Sequence, residues 1–274
     1  MKILMIYISP NHNTEKISHS LRDKFVSQGN EVSLLNIGKA ENRDPQTIPD
    51  VLLNEVDLLG IGSPVYHMRM LEPMESYLKN LLPRVKRETK TFLYLTYGGI
   101  TSGKAFINTA RLLRKYDLPI LGGVKIWAPH FYDPVPYPGE KAQNTVEQFC
   151  SELAERQFQA IPWQKVDSLF TYQTGKVRMI YPFTHFIGKK RELPIIINAD
   201  RCKKCGRCIR ECPTGAIILT DKVARVESKC IYCYHCTTLC AQQAIQCPTE
   251  KIAEAVNLNK KMIGCEQPTN SVYF

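Results

Sequence analysis

The chain has 274 residues, 44% of them hydrophobic, and 36 Lys+Arg against 26 Asp+Glu give a formal charge of +10. That length leaves room for two domains with real cores. No apolar stretch approaches the roughly 18 residues of a membrane span: Val177 to Gly188 is broken by Arg178, Pro182 and His185, and the opening MKILMIYISP run stops at Ser9, Pro10 and Asn11 without a small-residue cleavage site. A soluble protein of a reducing, anoxic cytoplasm is expected, with no membrane span. The basic residues are not interleaved with aromatics, so no nucleic-acid partner is expected.

Residues 1 to 160 alternate short apolar runs with amphipathic stretches, the pattern of stacked βα units. Strands are expected over Lys2 to Ile8, Glu31 to Ile37, Val56 to Ile61, Thr91 to Tyr97 and Ile120 to Ile126. Helices are expected over Thr14 to Gln28, Glu72 to Leu82, Lys104 to Tyr116 and Lys141 to Gln159. Five parallel strands with intervening helices make a doubly wound sheet, which binds ligands at the carboxyl ends of its strands.

The loops at those ends are therefore of interest. After the first strand comes Ser9-Pro10-Asn11-His12-Asn13-Thr14, where hydroxyls, amides and free N–H groups at a helix start suit a phosphate. After the third comes Gly60-Ile61-Gly62-Ser63-Pro64-Val65-Tyr66-His67, and after the fourth Thr96-Tyr97-Gly98-Gly99. Glycines there let backbone approach a flat ring, on which Tyr66 or Tyr97 would stack. His67 and His130 lie on the same side without a distinguishing signal, and Cys150 reads as helix core.

Residues 161 to 193 carry Trp163, Phe170, Tyr172, Tyr181, Phe183 and Phe186, then Lys189, Lys190 and Arg191. This is too apolar for a free tether and reads as a segment packed between domains. Residues 194 to 248 follow as a second domain, and 249 to 274 as a tail with a helix over Glu250 to Met262.

Eight of the 11 cysteines fall in two copies of one run: Cys202, Cys205, Cys208 and Cys212 before Pro213, then Cys230, Cys233, Cys236 and Cys240 before Ala241. Three thiolates two residues apart reach three corners of one iron–sulfur cube, and the fourth points to the neighbouring cube. Cys202, Cys205, Cys208 and Cys240 are thus assigned to a first 4Fe-4S cluster, and Cys230, Cys233, Cys236 and Cys212 to a second. Zinc would favour two cysteine pairs across a longer loop, and disulfides an oxidising compartment. Cys247 and Cys265 lack partner spacing and read as non-ligands. His235, between two ligands, reads as a group that tunes a cluster.

Nearly the whole chain resembles the flavodoxin-ferredoxin fusion proteins of anaerobic bacteria and archaea, a flavodoxin-like domain followed by a small α+β bacterial-type two-cluster ferredoxin domain. In that family the first loop reads like Ser-Gly-Thr-Gly-Asn-Thr and holds the FMN phosphate. Ser9, Asn13 and Thr14 match it and are implied in that role; Pro10, Asn11 and His12 depart from it, and His12 stands where a glycine is expected. Gly62, Pro64, Val65 and Tyr66 are similar to the second flavin loop, and Thr96 to Gly99 to the third.

The implied cofactors lower the charge. Each cube with its thiolates carries roughly −2, taking the chain to about +6, and a flavin phosphate to about +4. Lys203, Lys204, Arg207, Arg210 and Arg225 around the cysteines either offset cluster charge or attract an acidic redox partner. Three functions remain open: an electron carrier between one- and two-electron chemistry, a flavin-dependent reductase fed by its own ferredoxin domain, and a regulatory module with structural clusters. A GxGxxG turn is absent, so direct nicotinamide binding is not expected. The oligomeric state stays open, a homo-oligomer included.

Overall fold

The structure is a computed structural model describing residues 1–172, 175, 177–180, 182–183, 193–221, 223–263 and 269–274. The readings of Tyr181, His185, Phe186, Lys189 to Arg191 and Cys265 fall outside those residues.

Strand β1 (Lys2–Tyr7) is apolar on both faces, as suits the middle of a sheet covered on both sides. It lies between β2 (Glu31–Asn36) and β3 (Leu58–Tyr66), and β5 (Lys90–Tyr97) and β6 (Ile120–Trp127) continue the sheet, all parallel. Counting these five strands alone, the order is 2-1-3-4-5, that of flavodoxin-like doubly wound folds. The short β4 (Arg69–Met70) folds back on β3.

Two helix layers cover the sheet. On one face α1 (Asn13–Ser27) buries Ile17, Leu21 and Phe25, spaced one turn apart, beside α5 (Glu140–Glu155) with Phe149 and Cys150. On the other lie α2 (Asp50–Glu55), α3 (Glu72–Leu81) and α4 (Ala105–Arg114). Gly62 admits Tyr94: a Cβ there would stand 2.1 Å from its ring.

Two features differ from the expected plan. Helix α6 (Trp163–Phe170) belongs to the first domain, because Ile161, Val166 and Phe170 join its core and Phe170 stacks on Phe106 at 4.9 Å. The tail also returns: β11 (Ser271–Tyr273) pairs antiparallel with β6 and adds an edge to the parallel sheet. Gly122 makes room for it, since a Cβ there would lie 2.7 Å from the Tyr273 carbonyl, whereas Gly123 makes room for the Phe106 ring.

The second unit has a small core of Ile217, Ala224, Cys236 and Ile245. Ribbon β7 (Ile196–Ile197) pairs with β10 (Ile245–Gln246), and β8 (Ile217–Leu219) with β9 (Ala224–Val226). Short helices α7 (Arg207–Arg210) and α8 (His235–Leu239) carry cysteines. The unit is an internal repeat, each position recurring 28 residues later from Cys202 to Cys230. Backbones match: φ is positive at Lys204 (53°) and Tyr232 (50°), Gly206 (73°) and Tyr234 (57°), and Gly215 (64°) and Gln243 (49°). Helix α9 (Thr249–Ile263) then runs back to the first domain.

Candidate functional site

The first loop is shaped by α1 and its cap. Ser9 Oγ accepts the Glu15 N–H at 2.9 Å, Asn13 Nδ2 donates to the Pro129 carbonyl at 2.9 Å, and the Thr14 and Thr96 hydroxyls share a hydrogen bond of 2.8 Å. The side chains of Ser9, Asn13 and Thr14 therefore hold the loop closed. What remains for an anion is the start of α1 itself, where the N–H groups ahead of Glu15 have no intrahelical acceptor.

His12 takes the left-handed conformation a glycine would favour, φ 60°. Its ring points out of the pocket: Nδ1 meets Glu15 Oε2 at 2.7 Å, and the ring stands edge-on to His235 with centroids 4.8 Å apart. Glu15 also accepts from Tyr7 Oη at 3.1 Å. His12 and Tyr7 hold the Glu15 carboxyl down at about 2, and Glu15 raises His12.

A cavity of about 400 Å³, within the size class of small-molecule sites, opens where β1, β3 and β5 end. Ser9, Asn11, Asn13, Thr14, Pro64, Val65, Tyr66, His67, Thr96, Tyr97 and Gly98 line it; His12, Ser63 and Gly99 do not. The Ser63 hydroxyl is spent within its own loop, accepting from Leu71 N at 3.2 Å. Gly98 lets the His130 ring lie flat against backbone, where a Cβ would be 2.4 Å from it. Burial lowers the pKa of His130.

Tyr97 has a second duty. Its hydroxyl donates to the Thr269 carbonyl and accepts from the Thr269 N–H, both at 2.8 Å, and Lys125 Nζ sits 5.0 Å from its ring centroid. Tyr66 is half-buried, with burial raising its pKa.

The far wall comes from parts of the chain that the loop readings missed. Ile231, Tyr232, Cys233 and Tyr234 of the second cysteine run line the cavity, as do Ile252, Ala255, Val256, Asn259, Met262 and Ile263 of α9. Their spacing of three and four marks one helix face, visible in sequence but silent about what it covers. The halves are tied directly: Asn11 Nδ2 donates to the Cys233 carbonyl at 3.2 Å, Arg43 to the Cys212 carbonyl at 2.5 Å, and Phe131 packs on Tyr234 at 5.3 Å.

Among the described residues no three Cys, His, Asp or Glu side chains converge as on a single ion. Charge coupling among the thiols crosses between the two runs: Cys208 feels Cys202, Cys205 and Cys240, Cys233 feels Cys212 and Cys230, and Cys236 feels Cys233, Cys230, Cys212 and Cys208. Cys212, Cys230, Cys233 and Cys236 border one internal cavity, into which Cys208 also reaches. Burial pushes the Cys233 thiol up to about 12, a cost that metal ligation removes by deprotonating it outright. N–H groups point at sulfur in both repeats, Ala216 to Cys212 at 3.2 Å, Ala244 to Cys240 at 3.3 Å and Tyr232 to Cys230 at 3.4 Å. An all-thiolate donor set with backbone donors to sulfur fits an iron–sulfur group.

Cys247 lies near the Thr237 and Thr249 hydroxyls. Cys150 is fully buried in α5 and pushed up to about 12 by that burial. His235 is held down to about 4, first by burial and then by His12 and Arg207, so its ring is neutral.

Fold and site define a flavodoxin-like α/β domain joined to an iron–sulfur domain. Residues 195–218 match the 4Fe-4S binding domain family. A stretch of 46 residues is 41% identical to one component of the ion-translocating oxidoreductase complex of Methanosarcina acetivorans, covering 16% of this chain and 17% of that protein's length. Among solved structures, an archaeal flavodoxin overlaps 58% of this chain and 100% of its own at 19% identity, TM-score 0.46. Rubredoxin oxygen:oxidoreductase from Desulfovibrio gigas overlaps 57% of this chain and 35% of its own at 16% identity, TM-score 0.45. Flavodoxin 1 from Bacillus cereus overlaps 57% and 98% at 14% identity, TM-score 0.45.

Proposed function

We propose that the chain is an electron-transfer iron–sulfur flavoprotein of the flavodoxin-ferredoxin fusion kind. FMN would occupy the cavity at the ends of β1, β3 and β5, and two 4Fe-4S clusters the interlocked cysteine sets. One observation carries this reading: the segment Ile231 to Tyr234, inside the second cysteine run, forms a wall of the same cavity that Ser9 to Thr14 closes from the other side. Two redox sites sharing a wall is what electron exchange requires.

The chain's own residues set the conditions. The start of α1 receives the phosphate, while Pro64, Val65, Tyr66 and Gly98 border the ring space. Helix α9 and Phe131 line the same space. Bound flavin supplies the exchange between one- and two-electron steps. Asn11 and Arg43 fix the cluster loop against the flavin loop through the carbonyls of Cys233 and Cys212.

The covered cavity also favours a second reading, a reductase acting on a small substrate at the flavin, since α9 adds Asn259 to His67 and His130 as polar groups facing the cavity. Anaerobic purification with iron, sulfide and flavin analysis, followed by reductive titration, tests the shared core of both. About eight irons and one FMN per chain are expected. A zinc-loaded protein without cluster absorbance, or a flavin-free protein that does not take up FMN, would overturn it.

A further inference from the structure

The two cysteine runs share one backbone frame, matched in φ at three pairs of residues and in the N–H groups that reach Cys212 and Cys240. Side chains on that frame differ by position. In the second repeat Ile231, Tyr232 and Tyr234 are the residues against the flavin cavity, and Cys233 is buried. Their counterparts 28 residues earlier are Lys203, Lys204, Gly206 and Cys205. Cys205, Lys203 and Lys204 are exposed.

The charge pattern follows the same division. From Asp200 to Glu211 the first repeat carries Arg201, Lys203, Lys204, Arg207 and Arg210 against those two carboxylates. The equivalent residues of the second repeat are Lys229, Ile231, Tyr232, His235 and Thr238, with Ser228 and Leu239 in place of the carboxylates. One frame is thus dressed twice, apolar and aromatic where it meets the chain's own partner domain, cationic where it meets solvent.

Resting on the electron-transfer reading above, we propose that the loop Arg201 to Arg210 is the docking face for an external protein electron carrier with an acidic surface, and that the cysteine set at this end is the port. The loop Ile231 to Tyr234 is then the internal counterpart that serves the flavin. In the inward direction the partner's reduced centre would lose one electron and the cluster that Cys202, Cys205, Cys208 and Cys240 would hold would gain it; the cluster that the set containing Cys212 would hold is the next acceptor. No bond forms or breaks.

The surface charges are separable from the loop's structure. Lys204 donates to the Asp221 carbonyl, Arg210 donates to the Cys205 carbonyl and Arg225 pairs with Glu227, so these three also hold the fold. Lys203 and Arg207 are the cleaner probes.

The test uses the holoprotein and a small acidic ferredoxin as the probe. Zero-length carbodiimide coupling, which joins lysines to carboxylates, is mapped by mass spectrometry, and association rates are followed against ionic strength. Coupling at Lys203 and Lys204 is expected, together with about a tenfold slower association of K203E/R207E at low salt. K79E/K115E, an equal charge change on exposed residues of the first domain, should stay within about twofold. K203Q/R207Q, a milder change, should fall between, and cluster spectra on each sample show that it is intact.

Coupling confined to the first domain, equal slowing by both double variants, or no association at low salt would overturn the docking face. So would a K203E/R207E protein whose cluster potential shifts while its association does not, since the cations would then serve only to offset cluster charge. A sample lacking clusters or flavin instead counts against the electron-transfer reading, and the coupling map, which needs no electron flow, keeps the two failures apart.

Discussion

The side-chain amide of Asn11 donates to the main-chain carbonyl of Cys233 at 3.2 Å, a bond across 222 residues of sequence. It joins the turn that opens α1 to the turn that opens α8. The loop before α1 and the second cysteine loop are therefore tied together, and a change in either should be felt in the other.

That tie predicts the effect of Asn11→Ala. Losing the bond leaves the Cys233 carbonyl short of its partner, a cost of about 1 to 3 kcal/mol. FMN should dissociate faster, and the spectrum of the cluster held by Cys230, Cys233 and Cys236 should broaden while the other stays unchanged. Flavin release kinetics and EPR on the same samples check this. An equal disturbance of both clusters would contradict it.

Cys212→Ala discriminates the interlocked arrangement. Cys212 follows Cys208 in sequence, yet charge coupling reaches from it to Cys233 and Cys236, with which the interlocked assignment places it. Spectroscopy should show loss of the cluster that Cys230, Cys233 and Cys236 hold, with the one at Cys202, Cys205 and Cys208 retained. Selective loss of the latter would reverse the assignment.

Thr14→Val tests the anion site. The Thr14 hydroxyl is buried and shares a bond with Thr96. Its removal should loosen the loop that this bond holds closed at the start of α1, weakening FMN by about 1 to 3 kcal/mol and hardly changing riboflavin, which brings no phosphate there. Titrations with both ligands decide it; equal losses would move the phosphate elsewhere.

Tyr97→Phe releases Thr269 from both of its bonds. A melting temperature lowered by several degrees is expected for a loss of about 1 to 3 kcal/mol, with faster hydrogen exchange along α9 than along α1. Unchanged exchange in α9 would mean that the tail is held by β11 alone.

Glu15→Gln has a defined pH dependence. The Glu15 carboxyl, held at about 2 in the folded protein against an ordinary 4.5, contributes stability above its unfolded value that fades as pH falls through the folded one. His12 is raised, so its contribution is complete below 6.5 and fades as pH rises through its folded value. The substitution should therefore cost about 2 kcal/mol near pH 5.5 and less at pH 9, where imidazolium is gone. Denaturant melts at the two pH values measure it; a cost that grows toward pH 9 would refute the pairing.

The parallel strands were legible because sheets covered on both faces need unbroken apolar runs, as in Lys2 to Tyr7 and Ile120 to Trp127. An iron–sulfur domain was legible in the cysteine spacing, because ligand spacing is a constraint of the cluster rather than of the fold. His12 was not: only its left-handed φ reveals that a bulky residue can stand in a glycine's place with its ring turned away. Ser271 to Tyr273 is too short for a period-2 pattern, so the return of the tail was invisible apart from Gly122, whose meaning required the neighbour. The face of α9 was readable as apolar, but amphipathicity names no partner.

The return of β11 makes the iron–sulfur unit an insertion between two neighbouring strands of one sheet rather than an appendage to it. The edge of β6 is therefore unpaired while the iron–sulfur unit is being made, and it gains its outer neighbour only when β11 follows. Ser271 to Tyr273 is the clasp that ties both ends of the insertion to one sheet.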